Sequence, residues 1–332
     1  MTTMRQVAEH AGVSISTVSH VINRTRYVSE NVTERVHNAM EKLDYRPNDL
    51  ARSLRRGQTN TLGLVLPDSA NPYFAEIGRA IESAAFELGY SVILGNTHGD
   101  LDKEDLYVDV LRKKQVDGII FVATGDKNTS VLNLLHRKFP VVLVDRDLSG
   151  VETDTVLIDN LQGGYLATKH LIDLGHRRIG CVSGPSNITP SAERVTGYRT
   201  ALEESGIQFD EKLIIGGDFR PNSGYTATLA LLGQGDAPTA VFTCNDLMAI
   251  GALRAAAEKQ KIVPADLAVV GFDNIELASY TMPPLTTISQ PIQEIGRTAA
   301  ELLVERINEK ASDPRRVLLS SKLIVRGSCG AK

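Results

Sequence analysis

From residue 61 onward the chain alternates short, almost wholly apolar runs with longer amphipathic stretches. The runs are LGLVLPD, SVILGNT, DGIIFVAT, PVVLVDRD, TVLIDN, RIGCVSGP, TAVFTCND and LAVVGFD, and helical spacing fills segments such as 74–88 and 163–174 between them. A strand with no polar face has no side to give to water, so such strands belong in parallel sheets covered by helices on both faces. The pattern also repeats. TLGLVLPD followed by a helix is echoed near residue 178 by RRIGCVSGP followed by a helix, which predicts two doubly wound lobes with a ligand cleft at the carboxyl ends of their strands. KLIVRGS reads as a last strand in one lobe.

The first 45 residues obey a different rule, with helical periodicity and no strand-like alternation. Thr3 is placed to cap a helix over 4–11, with Met4, Val7, Ala8 and Ala11 on one face. Gly12 ends it, because glycine tolerates positive φ. Ser14 caps a second helix over 15–23 with Val18, Val21 and Ile22 inward, and Ser29 opens a third through Leu43, burying Val32, Val36, Ala39, Met40 and Leu43. Two short helices joined by a glycine turn predict a helix-turn-helix. Pro47 separates this unit from a short helical run, and Gly57-Gln58-Thr59 closes the linker.

Charge follows the same division. Residues 1–60 hold nine Lys and Arg against six Asp and Glu, whereas the remainder holds 27 against 34. A small basic head on an acidic body suits a polyanion such as DNA. No apolar run approaches a membrane span, and the N-terminus lacks the pattern of an export signal, so a cytoplasmic protein is expected. Cys181, Cys244 and Cys329 are odd in number and unclustered, which points to buried thiols rather than disulfides or a zinc site. The GxSxG, GxxxxGK[ST], HExxH and GxGxxG signatures are missing, so no catalytic residue, metal or cofactor is expected.

MRQVAEHAGVSISTVSHVINRTRYVSENVTERVHNAMEKLDYRPNDLARSLRRGQTNTLGLVLPD resembles the N-terminus of the LacI/GalR family of bacterial transcription repressors. The likeness runs through the VAxxAGVS turn, STVSHVIN, the Tyr45-Arg46-Pro47-Asn48 exit and the Leu50-Ala51-Arg52-Ser53-Leu54 hinge. It continues to GFDNIELASYTMPPLTTISQP and so covers essentially the whole chain. Within the family it is most similar to ribose repressors, whose core resembles periplasmic ribose-binding protein. The resemblance implies an α/β chain with an all-α helix-turn-helix head at 1–46, a linker and hinge helix at 47–59, and a two-lobed, periplasmic-binding-protein-like core of doubly wound parallel sheets at 60–332. The N-lobe is expected at about 60–159 plus 290–317, and the C-lobe at about 160–289 plus 318–328.

In such a head the second helix enters the major groove. Ile15, Ser16 and His20 are then the base-edge candidates, while Thr17, Asn23, Arg24 and Tyr27 suit phosphates. The hinge at 50–56 is too short to be helical alone and is expected to form against a dimer mate and DNA. Leu54, flanked by Arg52, Arg55 and Arg56, matches the family's minor-groove wedge. These features imply a homodimer on a pseudopalindromic double-stranded operator.

NPYF, VDRD, the Arg194 to Tyr198 run, GDF, CNDLMA, GFD and ISQP each look like a sugar-contact segment of ribose-binding protein. By that likeness Asn71, Asp145, Arg146, Arg194, Asn245, Asp273 and Gln290 bind hydroxyls, and Phe74, Phe219 and Phe272 stack on or wall the sugar. Carboxylates and guanidiniums for hydroxyls and aromatic faces for C–H surfaces are what a sugar needs. Tyr73 departs from the phenylalanine of ribose-binding protein, and its hydroxyl is free to meet a different effector. The expected effector is ribose or a related sugar. The alternative is a catabolite-control regulator of the same family that answers to a phosphorylated phosphocarrier protein.

Overall fold

A computed structural model describes residues 2–23, 25–45, 58–125, 129–309 and 313–331. The chain divides into two compact units, 1–59 and 60–332.

In the first unit α1 (Met4–Ala11), α2 (Ile15–Asn23) and α3 (Glu30–Lys42) form a three-helix head. Thr3 and Gln6 make a reciprocal capping box at α1, and Gly12 ends it at φ 62°, the left-handed geometry glycine accepts without a Cβ clash. The Ser14 hydroxyl accepts the Thr17 N–H at 3.1 Å and so starts α2. Ser29 precedes α3 with an extended backbone but makes no side-chain cap bond. Val7, Ala8, Ala11, Val18, Val21, Val36 and Ala39 form the core, with Met4, Ile22, Met40 and Leu43 packed around it.

Among the described residues the second unit holds two six-stranded sheets. The first takes β1 (Thr61–Leu66), β2 (Ser91–Asn96), β3 (Gly118–Phe121), β4 (Val141–Val144), β5 (Asp154–Ile158) and β11 (Arg316–Leu319), in the order β11-β5-β4-β3-β1-β2, all parallel. The second takes β6 (Ile179–Ser183), β7 (Ile214–Gly216), β8 (Ala240–Thr243), β9 (Ala268–Asp273), β10 (Thr286–Ser289) and β12 (Lys322–Ile324), in the order β12-β10-β9-β8-β6-β7, with only β12 antiparallel. Helices α4 (Pro72–Glu87), α5 (Leu101–Lys113), α6 (Thr129–His136), α7 (Asn160–Asp173), α8 (Thr189–Glu204), α9 (Pro221–Leu232), α10 (Asp246–Glu258) and α11 (Ile292–Ile307) make the crossovers.

Among the described residues the chain passes between the sheets three times: at Asp159, at Gln290-Pro291 and at Ser320-Ser321. The expected change of lobe after residue 317 therefore falls inside β11, because Leu318 and Leu319 still pair with Leu157 and Ile158. The β2 run also departs from the reading of strands buried on both faces. It is a sheet edge, and Ile93 and Leu94 are exposed there. The three cysteines are free and buried.

Candidate functional site

On the head, α2 presents Ile15, 44% exposed, and Ser16 to solvent, and Tyr27 beyond it is 93% exposed. Ser16 and Thr17 hydroxyls meet the Ser14 hydroxyl at 2.7 and 2.8 Å, and His20 Nδ1 meets the Thr25 hydroxyl at 2.8 Å. The Asn23 amide turns back onto its own helix, donating to the Ser19 carbonyl at 2.8 Å. Arg24, Arg52, Leu54 and Arg55 lie outside the described residues. One structural residue escaped the sequence reading. Arg35 on α3 donates to the Ala11 and Gly12 carbonyls at 2.5 and 3.2 Å, tying the turn between α1 and α2 to the third helix. A Cβ on Gly12 would lie 2.8 Å from Arg35 Nη2, so Gly12 supplies both positive φ and room.

In the core the strand ends of both lobes bring Asn71, Tyr73, Phe74, Asp145, Arg146, Arg194, Phe219, Asn245 and Asp273 around one cavity of about 30 Å³. Asn71 caps α4 by accepting the Tyr73 N–H at 3.1 Å, and Asn245 caps α10 by accepting the Met248 N–H at 2.9 Å. Both caps place their residues at helix starts that follow strands, where open α/β sheets bind ligands. Asp145 (φ 69°), Phe219 (φ 64°) and Asp273 (φ 114°) hold positive φ without being glycine. Such strained backbones persist where the surrounding structure fixes them, and they gather at binding sites.

The cavity is closed by its own polar groups. Tyr73 Oη lies 2.7 Å from both Asp145 Oδ1 and the Gln290 amide, and Gln290 lies 2.8 Å from Asp273 Oδ1. Arg146 donates to the Ala123 carbonyl, and its Nε, 3.7 Å from Asp145 Oδ2, has no hydrogen-bond partner among the described residues. Arg194 donates to Asn160 Oδ1 at 2.9 Å and to the Cys244 carbonyl at 2.5 Å, and stands 3.7 Å from Asp273. Burial pushes the Asp273 carboxyl well above its usual range against the pull of Arg194, and burial with the Asp145 charge pushes the Tyr73 phenol up. Burial lowers Arg146, countered by Asp145.

Two expected residues sit elsewhere than the resemblance placed them. Phe272 is not in the cavity wall but lies beneath Arg194, whose guanidinium carbon is 3.7 Å from the ring centroid. Successive side chains of a strand point to opposite faces, so with Asp273 turned to the cavity Phe272 faces α7. Room exists there because residue 163 is glycine, where a Cβ would fall 2.6 Å from the ring. Gln290 does not line the cavity either, and bonds two residues that do. Ile188 and Pro190 line the edge and were not anticipated. Thr189-Pro190 was nonetheless readable as the start of the helix carrying Arg194. Asn160, which holds Arg194, carried no such signal.

Comparison with known proteins matches both units. Residues 3–48 match the model of bacterial regulatory proteins of the lacI family. Residues 59–326 match that of periplasmic binding proteins and the sugar-binding domain of the LacI family. The ribose operon repressor of Escherichia coli is 42% identical over 330 residues, 99% of this chain and 100% of that protein. The HTH-type transcriptional repressor PurR of Photobacterium profundum is also 42% identical over 330 residues, 99% of this chain and 98% of its own. Among solved structures, the lac repressor dimer bound to operator and the anti-inducer ONPF superposes with a TM-score of 0.89 at 31% identity, covering 99% of each chain.

Proposed function

The chain belongs to the LacI family of bacterial regulatory proteins, and from that premise we propose that a homodimer of it represses transcription from a pseudopalindromic operator until ribose or a close derivative binds the core. It is a DNA-binding, ligand-regulated repressor and not an enzyme. No helix among the described residues is long and apolar enough to cross a membrane.

The observation that carries the sugar reading is the cavity's composition. Asp145, Arg146, Arg194, Asn245 and Asp273 surround a space that Phe74 and Phe219 wall, as hydroxyls and C–H faces require. Two acids face two arginines, and no other cation lines the cavity among the described residues, which favours a neutral sugar over a phosphorylated one. The apolar edge at Ile188 and Pro190 offers no hydrogen bond from its side chains, which also suits a sugar better than a purine rich in polar edges.

For DNA, Ile15, Ser16 and His20 read bases and Thr17, Asn23, Arg24 and Tyr27 hold phosphates, with Leu54 as the wedge. The dimer reading is supported by exposed apolar side chains on the C-lobe, Ile262, Leu277, Tyr280 and Met282, which a partner subunit would cover. Calorimetric titration with ribose, ribose 5-phosphate, other pentoses and hypoxanthine, together with operator anisotropy, tests the reading. Ribose should bind and weaken operator affinity by roughly 5- to 150-fold. Binding of hypoxanthine without ribose, or tightening on DNA by ribose, would reject it.

A further inference from the structure

Three short contacts join Asp145, Tyr73, Gln290 and Asp273 across the cleft, at 2.7, 2.7 and 2.8 Å. All four side chains are buried, none more than 6% exposed. Three hydrogen bonds need three protons between the heavy atoms. Tyr73 supplies one. Gln290 supplies one, because in either orientation of its amide the nitrogen faces one neighbour and the oxygen, which only accepts, faces the other. Ionised carboxylates at the two ends supply none. One contact is thereby left as acceptor against acceptor, a buried pairing that costs the desolvation of both groups with nothing in return.

We propose that the self-bonded site carries one additional proton, held by Asp273, and that the effector expels it on binding. The Gln290 amide, whose oxygen faces Tyr73 Oη and whose nitrogen faces Asp273 in the structure, is turned over in this arrangement: Asp273 donates to the Gln290 oxygen, the Gln290 nitrogen donates to Tyr73 Oη, and Tyr73 donates to Asp145, so that every contact has a donor. When a sugar parts Tyr73 from Gln290, its hydroxyls donate to the ionised Asp273 and the proton passes to the buffer.

The charged and titratable groups around the Asp273 end of this chain of contacts place the proton on Asp273. They are Tyr73 from α4, Asp145 and Arg146 from the end of β4, Arg194 from α8 and Asp246 from α10, with Arg326 beyond Asp246. Arg194, 3.7 Å from Asp273, draws it toward the charged form but gives its hydrogen bonds to Asn160 and Cys244, and charge on Asp246 opposes a second charge beside it. Arg146 keeps an Nε beside Asp145 that has no hydrogen-bond partner among the described residues. Burial acts in the same direction on Asp273.

The test is carbon-13 NMR of the full-length repressor, labelled at aspartate Cγ, without sugar. The Asp273 signal is identified by its absence from Asp273→Asn, and those of Asp145 and Asp246 likewise. Asp273 should be protonated at neutral pH in the parent and titrate at lower pH in Tyr73→Phe, which removes the contact that demands the proton. An ionised Asp273 in the parent, a protonated Asp145 instead, or an unchanged titration in Tyr73→Phe would overturn the proposal.

A second arm rests on the ribose reading. Titrating ribose in two buffers of different ionisation enthalpy should show about one proton released per site, with affinity rising about tenfold per pH unit while Asp273 is protonated in the free protein. Tyr73→Phe should release close to none. Ribose binding to the parent without proton release would overturn the proposal. Failure of ribose to bind would reject the ribose reading alone, and the NMR result would then decide the proton.

Discussion

Replacing Gly197 by Ala sets two effects of opposite sign against each other. Within a helix the change should stabilise by about 0.5–1 kcal/mol, because glycine gives up more backbone freedom than alanine on folding. Gly197 sits where α8 crosses α7, and a Cβ there would lie 2.6 Å from Tyr165 N and closer still to the Leu161 carbonyl oxygen. That is about 0.8 Å short of the 3.4 Å at which ordinary contact begins. Both obstructing atoms are backbone, so the helices must part, and overpacking of this kind costs roughly 1–3 kcal/mol. Packing therefore outweighs propensity and the variant should be less stable.

The same displacement reaches the cavity proposed to hold the effector. Arg194 lies one turn upstream on α8 and donates to Asn160 at the first position of α7. Misplacing one charged hydrogen-bonding group should weaken sugar binding by about 1.5–3 kcal/mol, roughly 10- to 150-fold. The chain has no tryptophan, so urea unfolding is followed by circular dichroism at fixed protomer concentration, alongside calorimetric titration with ribose. Gly216→Ala, whose Cβ would meet nothing within 4 Å, serves as a control and should shift stability by less than about 0.5 kcal/mol. A Gly197→Ala repressor as stable as the parent, with unaltered sugar affinity, would refute the reasoning.

Arg35→Met should lower the stability of the head by about 1–3 kcal/mol, because it removes the donors to the Ala11 and Gly12 carbonyls; thermal unfolding of the full chain and operator affinity at a fixed temperature report it. The Asp246 carboxyl is pushed up to about 7 by burial, opposed by its bonds from Thr287 and Ile275. The folded state thus binds more protons than the unfolded one between the ordinary 3.8 and about 7, so this group's contribution to stability falls as pH rises through that window, and Asp246→Asn should flatten the fall in urea midpoint against pH. Tyr280 and Met282 are 77% and 92% exposed; the double variant Tyr280→Glu and Met282→Glu should sediment as a monomer and lose operator binding, and an unchanged mass would count against that face as the dimer contact. His20→Ala should relax preference at one position of each half-site at a cost of about 1–3 kcal/mol, read from a binding-site selection.

Strands such as Val141–Val144 and Ala268–Asp273 were legible in the sequence because burial on both faces leaves no polar position to confuse the pattern. The runs that escaped are those in which tertiary pairing alone makes the strand. β7 has three residues, β10 reads Thr-Thr-Ile-Ser, and β11 alternates exposed Arg316 and Leu318 with inward Val317 and Leu319. The site was legible for a related reason. Its residues follow apolar runs directly, so Asp145, Asn245 and Asp273 announce themselves as polar groups at strand ends. What the sequence did not carry was which groups bond each other. Arg194 reads as a sugar contact, yet its guanidinium is already engaged by Asn160 and Cys244, residues 34 and 50 positions away. Removing Arg194 would therefore unsettle the protein as well as the site, and the conservative change at Asp273 is the cleaner probe of effector binding.

Gln290 shows how the site can be read at a distance. It stands on one of the crossings between the sheets, next to Pro291, the residue that precedes α11. From there its amide reaches Tyr73, carried by the first lobe, and Asp273, carried by the second. A second crossing leads through Asp159 into Asn160, and Asn160 holds Arg194. The groups that close the cavity are thus bonded to segments that cross between the two sheets. A ligand shifts the balance between the free and the occupied site only by its differential affinity for them, and the Tyr73–Gln290 contact is the one the proposal above has the sugar part. Tyr73→Phe removes that contact from the sugar-free state alone, so it should tighten sugar binding and lower the sugar concentration needed to release operator DNA. Weaker sugar binding in Tyr73→Phe, with the cavity otherwise intact, would show that the phenol serves the bound sugar rather than the closed, sugar-free cleft.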